Sequence, residues 1–305
     1  MNKSREVSIN GYYLLTLVIL IVASISLIAF GDRSKVSVVT FSATMLVLAL
    51  AIGAPILKII CGTEKEQLFE ITVYLLLWLA IVVIYENLTM MTAFVPMDLK
   101  DSMLMNLDQN FFGQTPALAI QEMGLYRPYL TQFFTFTYIA IYTLFPPLFG
   151  MYLLISKKKS ELAKYVATFA VVGMLGYLIY LLVPGVGPEV YYASLFNDEL
   201  YRNSGIDHIL VQGLQGYPKN AFPSMHTAFI VLFMIFAYRD DKRIFLITLP
   251  LTISLLISTI YLRQHYFVDL IAGAALSLMI AALMTCKPVE RMLDREISLS
   301  GKKQL

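Results

Sequence analysis

Long apolar runs separated by short charged stretches dominate the pattern of the chain. Eight of them are long enough to cross the roughly 30 Å hydrocarbon core of a bilayer as helices. We place them near 11–30, 36–57, 69–95, 130–156, 165–184, 222–238, 244–262 and 266–285. The pattern therefore predicts an all-α integral membrane protein with about eight transmembrane helices. The first run lacks a convincing cleavage site and is interpreted as a retained span rather than a signal peptide.

Two long segments, 96–129 and 185–221, lie between the predicted spans. In the first of them, MLMNLDQNFFG (103–113) and TPALAIQEMGLY (115–126) mix apolar and polar residues in a way that suits helices lying flat in the membrane interface. We interpret both as interfacial or lid elements. The charged tail after 286 is expected to begin as a helix.

Composition supports the membrane assignment and removes other classes. Hydrophobic residues make up 58% of the 305-residue chain and charged residues 14%, against roughly 25% charged in soluble domains. The net charge of +2 gives no reason to expect a nucleic-acid partner. Cys61 and Cys286 fall at the inner ends of predicted spans, and their spacing indicates neither a structural disulfide nor a metal site.

The distribution of lysine and arginine predicts the orientation. With eight spans both termini share one side, and that side carries sixteen of these residues against seven on the other. Cytoplasmic loops are enriched in positive charge, so we expect both termini in the cytoplasm. His226 and His265 then fall near the outer ends of their helices, and the hairpin of two spans between them returns His265 to the level of His226.

HYFVD, at 265–269, places His265 and Asp269 four residues apart on one helical face. The carboxylate can accept a hydrogen bond from one ring nitrogen, which fixes the tautomer and leaves the other nitrogen nucleophilic. The alternative is a helix-end pair in which two polar groups satisfy each other.

PSMH, at 223–226, places Ser224 and His226 at the beginning of a helix, with Pro223 suited to its first turn. Free backbone N–H groups there attract an anion, and the serine hydroxyl adds a donor. The alternative is that Ser224 simply caps the helix and His226 lies at the interface.

Three cations lie on the same outer face and can bind a phosphate. Arg263 comes two residues before His265, Arg127 begins the fourth span, and Lys219 precedes the NAFPSMH stretch. Taken singly, Arg263 is equally consistent with interfacial anchoring or binding of lipid headgroups. Arg127 and Lys219, taken singly, are better interpreted as ordinary loop charges. The remaining histidine, His208, is interpreted as a surface residue.

The conjunction of these residues is more specific than its parts. Phosphoryl transfer needs a nucleophile, an acid for the leaving group and donors for the equatorial oxygens. A transporter is the alternative, but transporters keep ionisable groups near the midplane rather than at the surface. A metal site built on two histidines and a carboxylate is a further alternative, with Glu189 as an additional base.

NAFPSMHTAF and YLRQHYFVDLIAG resemble the second and third signature motifs of the type 2 phosphatidic acid phosphatase superfamily, most closely its branch of inositolphosphorylceramide and sphingomyelin synthases. The third motif of that branch, approximately Y-L-x-x-H-Y-x-x-D-x-x-x-G, is matched by Tyr261, Leu262, His265, Tyr266, Asp269 and Gly273. Two positions depart from the phosphatases: Ile120 replaces the lysine of K-x6-R-P, and Thr259 replaces an arginine. Both departures favour the synthase-like branch.

The resemblance implies a six-helix catalytic domain over 69–285, with 1–68 as a two-helix addition and 286–305 as a cytoplasmic tail. It implies that His265 attacks the phosphorus of a lipid phosphoester, oriented by Asp269, and that His226 protonates the leaving oxygen. Ser224, Arg263, Arg127 and Lys219 would hold the phosphate, without a metal or other cofactor. The expected partners are a phospholipid or lipid-phosphate substrate, membrane lipids and an acceptor such as water or inositol. The short loops and Lys/Ile-rich usage point to a bacterial plasma membrane, with the site extracytoplasmic.

Overall fold

Helices make up nearly all of the regular structure. The computed structural model describes residues 8–30, 66–197, 200, 218–294 and 296–298. Its helices are α1 (Gly11–Phe30), α2 (Glu66–Met91), α3 (Asp101–Phe112), α4 (Pro116–Glu122), α5 (Pro128–Ile155), α6 (Lys159–Leu182), α7 (Pro188–Tyr191), α8 (Met225–Asp240), α9 (Lys242–Tyr261), α10 (Phe267–Met284) and α11 (Lys287–Leu293). Short 3₁₀ turns form at Thr92–Phe94 and Ala193–Leu195, and two strands, β1 (Ser8–Asn10) and β2 (Glu296–Ser298), pair antiparallel with Ile9 opposite Ile297.

The prediction of an all-α membrane protein is confirmed. In the described part of the chain, five helices are long and apolar enough to cross a bilayer: α2, α5, α6, α9 and α10. Helix α1 is also apolar, and α8 has 16 residues, which is about 24 Å of helix. The predicted run at 36–57 lies outside the described residues, so the count of eight stays a prediction.

Helix boundaries differ from the apolar runs where polar residues decide them. Helix α6 begins at Lys159, six residues before the predicted run, because its charged first turn is helical although it is not apolar. Helix α8 begins at Met225 rather than at 222 because Ser224 occupies the N-cap position. Pro223 therefore precedes the helix, and its expected place in the first turn is wrong.

The polar segment 96–129 forms the two helices α3 and α4, where interfacial or lid elements were predicted. The left-handed Gly113, at φ 77°, ends α3. Thr115 precedes α4, and Pro116 occupies its first turn, where the missing N–H of proline costs nothing. The described tail also begins as a helix, α11, as expected.

Contacts divide the chain into two units. The first draws its described residues from Met1–Leu88, Gly150–Met174 and Ile280–Leu305. In it, the fully buried Tyr12 of α1 donates a hydrogen bond to the Met284 carbonyl at 3.0 Å. The buried Lys164 ammonium donates to the carboxylates of Glu161 and Glu290. The Tyr12 bond thus holds α1 to the end of α10, and the Lys164 bonds hold the start of α6 to α11.

The second unit contains Thr89–Phe149 and Leu175–Met279. Helices α8 and α9 form a hairpin in it. The Asp241 carboxylate at the turn caps α9 by accepting from the Arg243 N–H at 2.8 Å. Helix α10 follows α9 after a short turn, and every residue predicted for the candidate site belongs to this unit.

Candidate active site

The beginning of α8 is tightly built. The fully buried Ser224 caps the helix, and its Oγ accepts from the Thr227 N–H at 3.3 Å and from the Thr227 hydroxyl at 3.1 Å. The Ser224 N–H donates to the Asp269 carbonyl at 2.9 Å. The capping role considered for Ser224 is therefore present, and the bonds fix the first turn, which carries His226.

His265 lies in the turn between α9 and α10, before the helix that carries Asp269, so the predicted placement of both residues on one helical face is wrong. Its Nδ1 lies 2.9 Å from the Ala221 carbonyl oxygen and 3.4 Å from Oδ2 of Asp269. A carbonyl oxygen only accepts, so Nδ1 carries the proton and Nε2 keeps its lone pair. We expected Asp269 to fix this tautomer, but the shorter contact is with Ala221. The buried Asp269 places negative charge beside the ring, with Oδ2 also accepting from the Tyr266 N–H at 2.8 Å.

The two histidines meet, as the hairpin predicts. Their ring centroids are 5.7 Å apart, with an interplanar angle of 62°. Tyr138 stacks on His226 at 4.2 Å, and Tyr142 packs against it at 4.3 Å. The Tyr138 hydroxyl is 3.4 Å from Nδ1 of His226. Two imidazoles and one carboxylate therefore converge at the N-terminal ends of α8 and α10.

Gly273 allows this convergence. A Cβ at Gly273 would lie 2.2 Å from the Ser224 carbonyl oxygen and 3.2 Å from the Ala228 nitrogen, so any side chain would push α10 away from α8. One turn further on, Ser277 donates to the Ala228 carbonyl at 2.5 Å. The backbones of the two helices thus touch directly below the histidines.

Arg263 lies near this site, but protein groups occupy its guanidinium. The side chain is fully buried and donates to the Tyr126 hydroxyl at 2.9 Å, the Asn197 carbonyl at 3.1 Å, Gln121 at 3.2 Å and Glu189 at 3.4 Å. Four of its five N–H groups are engaged. In this conformation Arg263 joins the segments around 121–126 and 189–197 to the turn that carries His265.

The other two predicted phosphate-binding cations also contact protein groups. Arg127 is exposed, and its guanidinium lies 3.5 Å from the Tyr126 carbonyl. The Lys219 ammonium donates to the Val95 carbonyl, and its backbone N–H donates to the Thr92 hydroxyl at 2.8 Å. His208 lies outside the described residues.

A sequence model of the PAP2 superfamily matches residues 102–283, which is more than half of the chain. The chain belongs to the PAP2 superfamily. Membership indicates an enzyme that hydrolyses or transfers the phosphate groups of lipid phosphates. Searches among curated proteins and among solved structures found no match.

Two buried carboxylates of this PAP2 chain were missed from the sequence. Asp108 of α3 accepts from the Phe267 N–H at 2.9 Å and from the Val268 N–H at 3.0 Å. It therefore caps α10 two residues after His265. Burial raises the pKa of Asp108, and these two donors lower it only in part. The fully buried carboxylate lies where the helix dipole favours negative charge.

Asp101, on the same face of α3, binds the loop before α7 and the tyrosine that follows His265. It accepts from the Gly187 N–H at 2.9 Å, the Val186 N–H at 3.1 Å and the Tyr266 hydroxyl at 3.2 Å. Burial also raises the pKa of Asp101 against the opposing effect of these donors. The seven-residue spacing of the two aspartates, two helical turns, was the available signal.

The residues considered for a metal site have other partners or other geometry. Glu189, suggested as the additional base, pairs with Arg263 at 3.4 Å. Among the described residues, no group of three or more His, Cys, Asp or Glu side chains is arranged to hold a metal ion. The side chains at the histidines are instead suited to nucleophilic attack and proton transfer.

Proposed function

We propose that this PAP2 protein cleaves a lipid phosphoester through a phosphohistidine at His265. The observation that carries the proposal is the Nδ1–H of His265 bonded to the Ala221 carbonyl at 2.9 Å, which leaves Nε2 as the nucleophile. A second imidazole, His226, lies with its ring centroid 5.7 Å away, close enough for both rings to reach one phosphoryl group.

In the first half-reaction, Nε2 of His265 attacks phosphorus, and the bond between phosphorus and the leaving oxygen breaks. His226 donates a proton to that oxygen, and the Asp269 carboxylate stabilises the positive charge that develops on the His265 ring. In the second half-reaction, neutral His226 takes a proton from water or an alcohol, whose oxygen attacks phosphorus and releases His265. The proposed hydrogen-bond donors to the bound phosphate are Ser224, Arg263, Arg127 and Lys219. The three cations must first exchange their present protein partners.

A transferase of the inositolphosphorylceramide-synthase type is the form of the activity that we favour. The position of the phosphatase lysine, Ile120, packs in an apolar cluster with Ala117, Ile260 and Leu270. The position of the phosphatase arginine, Thr259, is buried and donates to the Leu256 carbonyl at 2.8 Å. Neither position can therefore supply the cation that binds phosphate in a plain phosphatase. This supports the synthase-like branch and an alcohol acceptor such as inositol or a lipid hydroxyl.

The experiment uses purified protein in detergent with labelled phosphatidate or phosphatidylinositol, with water alone or with inositol and ceramide as acceptors. We expect His265→Ala to abolish turnover and the acid-labile phosphoprotein, with a normal unfolding temperature. The exposed Gln109 of α3 offers a control, since Gln109→Ala should retain activity. Substantial turnover by folded His265→Ala would overturn the proposal. Released phosphate identifies a phosphatase, and a new phosphodiester identifies a transferase.

We further propose that the protein resides in a bacterial plasma membrane with both termini in the cytoplasm and the site on the outer face. The positive charge of the predicted inner loops supports this orientation. The proposed substrate therefore presents its phosphate in the outer leaflet.

A further inference from the structure

An apolar cavity of about 770 Å³ lies within the second unit. Helices α8, α9 and α10 form its walls, and Phe112, Pro116 and Ala119 of the α3–α4 segment contribute the remaining side. Gln114 and Thr227 are its polar lining residues. Its volume falls within the range of roughly 300–1,000 Å³ found for small-molecule sites.

The lining residues show that the cavity is elongated along the helices. On α10 they run from Phe267 to Ala274, and on α9 from Ile260 back to Ile253. On each helix the spacing is three, four and seven residues, which marks a single face over two turns, about 10 Å. The cavity is therefore a groove between α9 and α10.

One end of this groove lies at the level of the candidate site. Phe267 comes two residues after His265, and Thr227 directly follows His226. Thr227 also bonds to Ser224, and the Phe267 ring packs edge-on against Phe112 at 4.8 Å. From there α8 and α10 both run away from the histidines, so the groove extends from the site toward the middle of the membrane.

We propose that this groove holds one hydrocarbon chain of the lipid substrate while its phosphate contacts both histidines. The inference rests on the proposed function and names the part of the substrate that the site uses for positioning. A phosphate at the outer ends of α8 and α10 leaves the attached chain pointing along the groove. A chain that moves from bilayer to groove exchanges one apolar environment for another, so the groove positions the phosphorus and selects chain length more than it adds affinity.

The variant that tests this is Ala274→Phe, which fills the inner end of the groove two turns below Phe267. Ala282→Phe is the matched control, because Ala282 is exposed on the same helix. We expect Ala274→Phe to lower turnover of a long-chain phosphatidate by roughly tenfold while turnover of a short-chain phosphatidate changes little. An equal loss for both chain lengths, or no loss for either, would overturn the proposal.

A second measurement does not depend on turnover or on the variant folding. A phosphatidate with a diazirine at the end of one long chain is cross-linked to the wild-type protein and to His265→Ala, and the labelled peptides are mapped. We expect labelling around Ile253–Leu256 and Ala274 in both proteins, and weaker labelling by a diacylglycerol that carries the same chain. Equal labelling by both probes would mean that the groove holds bulk lipid, and labelling confined to residues outside the groove, such as Leu278, would also overturn the assignment.

The outcomes separate the two proposals. Phosphate-dependent labelling of the groove in a protein that turns over no lipid phosphate would reject the proposed function and retain the groove. Normal turnover with an unchanged chain-length profile in Ala274→Phe would reject the groove alone.

Discussion

Replacing Asp269 by asparagine isolates the charge of the carboxylate from its hydrogen bonding. The Asp269 Oδ2 lies 3.4 Å from His265 Nδ1. At that separation two unit charges attract by about 5 kcal/mol at an effective dielectric constant of about 20. This value is an upper limit, because the free-energy cost of burying the Asp269 charge offsets part of the attraction. The Ala221 carbonyl still holds the Nδ1–H in the variant, so the tautomer is kept and only the stabilisation of the charged ring is lost.

We therefore expect Asp269→Asn to lower kcat by about 10²- to 10³-fold, since each 1.4 kcal/mol corresponds to about a factor of ten. KM should change little, because the charge on His265 develops only as the phosphorus is attacked. The asparagine amide oxygen can still accept from the Tyr266 N–H, so the unfolding temperature should stay near that of the wild type.

The assay is steady-state turnover of labelled phosphatidate, combined with single-turnover trapping of the phosphoprotein. Asp98→Asn serves as the control because Asp98 is exposed, in the loop before α3. A kcat within about twofold of the wild type would refute the reasoning and leave Asp269 as a structural residue. A loss accompanied by unfolding would be equally damaging, since the argument requires an intact turn.

Four further outcomes are expected. Asp108→Ala should lower the free energy of unfolding by about 2 kcal/mol, because two buried N–H groups of α10 lose their acceptor; thermal unfolding in detergent measures this, and equal stability of Asp98→Ala and Asp108→Ala would contradict it. Burial raises the pKa of Asp108. Its contribution to stability is therefore greatest below the unfolded pKa and is lost as the pH rises through the folded pKa. Asp108→Asn should remove this pH dependence of the unfolding temperature across that window. Arg263→Lys should cost about 2 kcal/mol of stability, because one ammonium cannot replace the four donors that Arg263 uses; an increase in KM with unchanged stability would instead indicate that Arg263 binds phosphate. With both native cysteines replaced by serine, Asp98→Cys should react with an impermeant thiol reagent from outside intact cells and Lys158→Cys should not, and the opposite result would reverse the orientation.

Much of the candidate site could be predicted because its motifs are short and local. The four-residue spacing brings His265 and Asp269 together, although His265 lies in the turn before α10 rather than on its face. The length of the α8–α9 hairpin returns His265 to the level of His226. The contacts that complete the site come from residues far apart in the sequence. The Ala221 carbonyl reaches His265 across 44 positions and Asp108 reaches Phe267 across 159, and no local pattern records such a pairing.

The predicted phosphate ligands show the same limit. Charge and position favoured Arg263 as a phosphate ligand, but four protein acceptors surround its guanidinium. A cation and its acceptors find each other only when the loops between helices take up their positions. For the same reason, the two aspartates of α3 could not be recognised as caps until the turns that they bind were in place.

Hydropathy by itself determined the membrane class and the position of most described spans, because burial in lipid acts over one or two dozen neighbouring residues. The four-residue spacing of His265 and Asp269 predicted their proximity in the same local way. The tertiary structure alone decided which atom fixes the tautomer of His265, which cationic side chains already bind protein acceptors, and where a lipid chain can lie. Those features depend on backbone approaches such as that of Gly273 to Ser224, and a close approach between two helices depends on the packing of both.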